Sequence, residues 1–147
     1  MKKYELLVDD TITFFGVQLF RIKALISFSG IEKGELGGYV ASEKNLSQSG
    51  NAWVSGDARV SGNAEVSGDA RVSGDTDYIV FKNTWSSGRY FTYTKSNKMW
   101  GVGCFYGDGD KLIEKAYKDS KKSGDFYKAY VEFVEKLEEI ENIHKEQ

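Results

Sequence analysis

Proline is absent from this chain, and cysteine and histidine occur once each, as Cys104 and His144. A single cysteine excludes an intramolecular disulfide framework and any multi-cysteine zinc site. The one imidazole sits on a polar stretch near the C-terminus and reads as a solvated residue, so a histidine base is not available to a catalytic site. No apolar run approaches the ~20 residues of a membrane-spanning helix. Met1-Lys2-Lys3 leads into Tyr4-Glu5 and not into a secretory apolar stretch. A formal charge of −2 leaves no global electrostatic case for direct nucleic-acid binding. A soluble, cytoplasmic protein without a membrane partner is the expectation, and 147 residues suffice for one domain or two small units sharing a core.

Glycine is plentiful, at 16 residues, and much of it marks a repeat. From Val54 to Asp75 the chain reads VSGDAR, VSGNAE, VSGDAR, VSGD, a period of six that is neither helical nor the alternation of a half-buried strand. Val and the Ala two residues before it are expected to point inward, with Gly turning each corner and Asp or Asn hydrogen-bonding the turning backbone. The Val register fails upstream at Gln48. These hexads resemble the left-handed parallel β-helix of hexapeptide-repeat proteins. If three hexads close a coil, residues eighteen apart stack. Val54 then lies under Val72 and Leu46 under Ala64, while outward-facing Trp53 meets Arg71 as a cation–π pair and Arg59 meets Asp77 as an ion pair.

The remainder divides around this repeat. The expected fold is mainly β with a C-terminal α+β unit. Residues 40–78 form a short left-handed parallel β-helix of about two coils, capped by N-terminal strands in residues 1–39 and by residues 79–147, a small antiparallel sheet with two helices. Tyr78–Lys82, Arg89–Thr94 and Met99–Phe105 are aromatic and β-branched enough for strands. Asp110 is the expected N-cap of a helix over Lys111–Asp119, and Asp125 of a second helix that starts after Gly124. That second helix carries an apolar stripe of Phe126, Tyr130, Phe133, Val134, Leu137 and Ile140.

The run Leu36-Gly37-Gly38-Tyr39-Val40 through Gly50-Asn51-Ala52-Trp53-Val54 resembles small β-helix proteins of phages and other bacterial mobile elements. Trp85-Ser86-Ser87-Gly88-Arg89-Tyr90-Phe91-Thr92-Tyr93, with Val102-Gly103-Cys104-Phe105, resembles a module that recurs in such proteins. The resemblance implies a setting, accessory or anti-defence work in a bacterial host, and assigns no catalytic residue. Hexapeptide acyltransferases use a histidine base and a long prism, and this chain has neither. Cys104 lacks a visible activating group and reads as a small buried residue. Gly107-Asp108-Gly109-Asp110 reads as a tight turn and helix cap, not a calcium loop, and the corner acids Asp57, Asp69 and Asp75 are not a metal ladder. No cofactor, metal or catalytic residue is expected.

Recognition is expected instead in Trp85–Thr94. Aromatic faces stack on planar bases, and Arg makes bidentate contacts to phosphate or carboxylate. Arg89 and Lys82 are the candidates for phosphates, and Trp85, Tyr90 and Tyr93 for base stacking. Strand alternation sets Arg89, Phe91 and Tyr93 on one face and Tyr90 and Thr92 on the other, so an aromatic mini-core is the competing interpretation. The acids Glu132, Glu135, Glu138, Glu139 and Glu141 form a solvated face or a surface for a basic partner. The expected function is therefore a non-enzymatic anti-defence binding protein that sequesters a small nucleotide immune signal as a homo-oligomer, dimer or trimer. The alternatives are a protein inhibitor of a host defence nuclease or CRISPR effector, and a structural phage accessory protein.

Overall fold

The computed structural model describes residues 1–145. Strands β1 (Tyr4–Phe14) and β2 (Val17–Ala24) form an antiparallel hairpin. Phe15 and Gly16, both at positive φ (49° and 78°), make its two-residue turn. Strand β3 (Leu36–Val40) pairs antiparallel with β2. Two further parallel pairs come from the hexads. Strand β4 (Trp53–Val54) joins β6 (Arg71–Val72) in a sheet of its own, and β5 (Arg59–Val60) joins β3, giving a mixed sheet of order β1-β2-β3-β5. A third, antiparallel sheet of order β10-β9-β8-β7 contains β7 (Tyr78–Lys82), β8 (Tyr90–Thr94), β9 (Met99–Val102) and β10 (Phe105–Gly107).

The expected left-handed parallel β-helix of about two coils is thus overturned. The described strands sort into three sheets, antiparallel or mixed apart from one two-stranded pair, and each parallel pairing within a sheet is two residues long. The reason lies near Gln48. Trp53 faces Arg71 and Val54 faces Val72, eighteen apart, but Val40 faces Val60 and Leu46 bridges Val66, twenty apart. Two extra residues between Leu46 and Val54 break the hexad phase, so Leu46 meets Val66 and not Ala64. Gln48 in that stretch acts as a strand would: its Oε1 accepts from Lys3 N (2.8 Å) and Tyr4 N (3.1 Å), and its Nε2 donates to Tyr4 O (3.2 Å). The extra residues thereby tie β1 to the repeat. Asn45, buried, holds the neighbouring turn by donating to Gly62 O and Ala64 O and accepting from Ala41 N and Ser42 N.

The inward set is Ala52, Val54, Ala58, Val60, Ala64, Val66, Ala70 and Val72, all buried in one core with Tyr4, Ile22, Val40 and Leu46. Gly56, Gly62 and Gly68 turn the corners at φ near +60°. Trp53 belongs to this core and does not face outward. It meets Tyr4 and Phe28 edge-on at 6.4 and 5.5 Å, while the Arg71 guanidinium turns to Ser29 O (2.8 Å). Arg59 pairs with Asp75 instead of Asp77, and Asp77 accepts from Ser73 N and Gly74 N.

A second core lies between the antiparallel sheet and two helices, α1 (Gly109–Asp119) and α2 (Lys121–Lys145). The N-cap of α1 is Asp108, whose carboxylate accepts from Lys111 N, and not Asp110. Helix α2 starts at Lys121, ahead of Gly124, because the Ser120 hydroxyl accepts from Ser123 N. Strand β7 joins the two cores: Tyr78 and Val80 pack on the first, Ile79 and Phe81 on the second. The same alternation splits β8. Phe91 and Tyr93 face the helices, whereas Thr92 faces the repeat and accepts from Glu65 N (3.0 Å).

Candidate functional site

The loop from Asn83 to Arg89 is built from inside. Buried Asn83 accepts through one side-chain oxygen from Trp85 N (3.1 Å), Ser86 N (2.9 Å) and the Ser86 hydroxyl (3.3 Å), an Asx turn. Asn83 N donates to Arg89 O (2.8 Å), which closes the loop, and Arg89 N donates to the Ser87 hydroxyl. Gly88 supplies the positive φ (72°) that returns the chain to β8.

The five candidate ligand-binding residues divide into two groups. Lys82 and Tyr90 are cross-strand partners in β7 and β8, and the Lys82 ammonium lies 5.6 Å from the Tyr90 ring centroid. Tyr90 is 40% exposed, and adjoining Arg89 is exposed too. These three share one surface. Trp85 instead stacks on Phe126 (4.5 Å, 7°), meets Tyr127 edge-on, and donates through its indole N–H to Ser123 (3.2 Å). Tyr93 is buried at 2% exposure, and its hydroxyl donates to Glu138 (2.9 Å). Burial, reinforced by Glu138, drives its phenol well above the ordinary range. Trp85 and Tyr93 are therefore framework of the second core. The bond to Glu138, which also pairs with Lys98, takes that carboxylate out of the freely solvated acidic face.

Arg89 stands between two clefts. One, about 250 Å³, is lined by Asn63, Glu65, Arg89, Tyr90 and Gly103. The other, about 180 Å³, brings in Asn83, Ser86, Lys115 and Tyr127. The guanidinium lies directly over Gly103, where any β-carbon would overlap it. Gly103 has a positive φ (57°), and that backbone conformation is what favours glycine here, since the overlapping atoms are the free end of the Arg89 side chain. Burial raises the Tyr127 phenol, while Asn83 and Arg89 pull it down, which places the Arg89 charge within electrostatic reach of the second cleft.

Partnering separates Arg89 from the other arginines. Arg21 pairs with Asp10 and Asp57, Arg59 with Asp75, and Arg71 donates to Ser29 O. Among the described residues no ion pair or side-chain hydrogen bond engages the Arg89 guanidinium. Sequence reasoning missed the parts played by Asn63, Glu65 and Gly103. The hexads present Asn63 as an ordinary corner residue and Glu65 as an ordinary outward one, and only the docking of the repeat on β8 brings them to Arg89.

The remaining candidates are placed as follows. Cys104 is exposed in the turn after Gly103, which corrects the expectation of a buried residue. His144 is exposed near the end of α2. Corner acids make contacts distant in sequence in place of local backbone ones: Asp57 with Arg21, Asp69 with Asn51, and Asp75 with Arg59. No group of three metal-ligating side chains occurs among the described residues, and no described helix is long and apolar enough to cross a membrane. The sequence matches no known family model and no curated protein.

Proposed function

We propose that this chain is a non-enzymatic binding protein for a small anionic ligand with a planar base, a nucleotide signal, held at the Lys82–Arg89–Tyr90 surface. The observation that carries this reading is the exposed, unpartnered Arg89 guanidinium set between two clefts and beside an exposed phenol ring. Arg89 would take the phosphate by charge-assisted hydrogen bonds and Lys82 would add charge, while Tyr90 stacks on the base. Asn63 and Glu65 offer an amide and a carboxylate for the base edge or sugar hydroxyls. Sequestration asks for no nucleophile or base, only for tight holding. It suits the anti-defence role, in the cytoplasm of a bacterial host, that the phage resemblance implies.

Calorimetric titration or native mass spectrometry against cyclic and linear nucleotides tests this. One of them should bind, and Arg89→Ala should weaken it by roughly 10–100-fold, the size of a lost charged hydrogen bond, without changing the circular dichroism. Binding should also weaken as salt rises. A ligand held equally well by Arg89→Ala would place the site elsewhere, and no binding across the panel would shift the search to a protein target.

A further inference from the structure

A further cleft, about 270 Å³, opens where β9, the start of α1 and the middle of α2 meet, and it shares no lining residue with either cleft at Arg89. Val131, Val134, Glu135 and Glu138 recur at helical spacing on one face of α2 and form one wall. Trp100 lines it from the aromatic core. Its ring packs on Phe81, Phe91 and Tyr93, which leaves the residue 2% exposed. Its indole Nε1 lies beside Gly109, 3.6 Å from where a β-carbon on that glycine would sit. Among the described residues nothing accepts from this N–H, whereas the Trp85 indole donates to Ser123. The Trp53 indole also lacks a partner but is sealed in the first core; the Trp100 N–H opens on the cleft. An indole N–H can only donate, so it calls for an oxygen acceptor.

The charge around that donor is negative. Glu138 is engaged by the Tyr93 hydroxyl (2.9 Å) and by Lys98 (3.3 Å). Asp108 uses one oxygen on Lys111 N as the cap of α1 and keeps the other free. Asp110 and Glu135 have no ion pair or side-chain hydrogen bond among the described residues, and Glu135 lies close enough to help raise the Tyr93 phenol. A helix N-terminus favours Asp108 and Asp110, but Glu135 arrives from the middle of the other helix, where no such preference acts. No three of these carboxylates meet closely enough to hold a metal ion. Three carboxylates and one neutral donor, beside an apolar wall of Val131 and Val134, repel an anion and fit an organic ammonium with an uncharged oxygen close by. We infer that this cleft binds a small amino alcohol or amino sugar, its ammonium held by Asp108, Asp110 and Glu135 and a hydroxyl oxygen accepting from the Trp100 indole.

In proton–nitrogen correlation spectra the three tryptophans give three indole resonances, and Trp100→Phe identifies the one at the cleft. Glucosamine or ethanolamine at millimolar concentration should shift that resonance. Glucose, which lacks the ammonium, and cyclohexylamine, which lacks the hydroxyl, should each bind at least about tenfold more weakly than glucosamine. Glu135→Gln, a change at an exposed helix position, should weaken glucosamine by about tenfold with unchanged helicity. No shift with glucosamine or ethanolamine, glucose or cyclohexylamine binding as tightly, or full affinity in Glu135→Gln would overturn the inference. Should Trp100→Phe unfold the chain, Trp53→Phe and Trp85→Phe assign the resonance by elimination and the titration decides.

Discussion

Lys3 is a buried cation whose only direct polar partners among the described residues are backbone carbonyls. Its ammonium donates to Ala52 O (2.7 Å) and Gly50 O (3.4 Å) and lies 5.0 Å from the Phe28 ring centroid. Burial, with Arg71 adding repulsion, lowers its pKa to about 8. The folded value lies below the unfolded one, so between about pH 8 and pH 10 the unfolded chain binds the extra proton and folding becomes more favourable as pH rises. Above about pH 10 the sign reverses, because the raised phenols of Tyr4 and Tyr93 keep protons that the unfolded chain gives up. Lys3→Met removes the first effect. In urea titrations at pH 7 and pH 10, wild type should gain on the variant by about 1–3 kcal/mol over that interval. Equal slopes for the two proteins would show that the amine is not desolvated.

Gly124 tests how α1 and α2 pack as elements. In an exposed helix interior, Gly→Ala stabilises by about 1 kcal/mol. Here a β-carbon would overlap the Tyr117 ring, which crosses the helix at that point and bonds Asp125 through its hydroxyl. Gly124→Ala should therefore destabilise, by about 1–3 kcal/mol, in thermal or urea unfolding. A gain in stability would mean that Tyr117 swings clear at no cost. The same glycine suggested a helix boundary in the sequence, since glycine commonly marks one. Close approach between elements, and not a turn, is what retains it.

At the scale of the molecule, two cores share β7 and are laced by contacts from the repeat to the antiparallel sheet. Arg71 N donates to Ser96, Tyr78 to Arg59 O, Lys95 N to Asp77 O, and the Tyr106 ring lies over Gly68. Trp53 reports the first core, and Trp85 and Trp100 the second. Val66→Asp buries an unpaired charge in the first core alone, at a cost of at least ~3 kcal/mol. If the cores are cooperative, single-tryptophan versions should show Trp53 and Trp100 melting together, and Val66→Asp should lower both midpoints. A midpoint unmoved at Trp100 would establish two independent units.

Sequence by itself determined the inward Val and Ala positions, the glycine corners, the aromatic strands and the existence of two helices. Each is written in local period and local backbone preference. It also singled out Arg89, Lys82 and Tyr90. Gln48 was legible as a break in the hexads, but its role as a substitute strand partner for Tyr4 was not, since that bond spans 44 residues. Only tertiary structure decided that the hexads divide between two sheets, that Trp53 turns inward, and that Trp85 and Tyr93 are framework. It also set Asn63, Glu65 and Gly103 around Arg89. These outcomes depend on which face of a strand meets which neighbour, and a one-dimensional pattern records the alternation of faces without recording what covers each one.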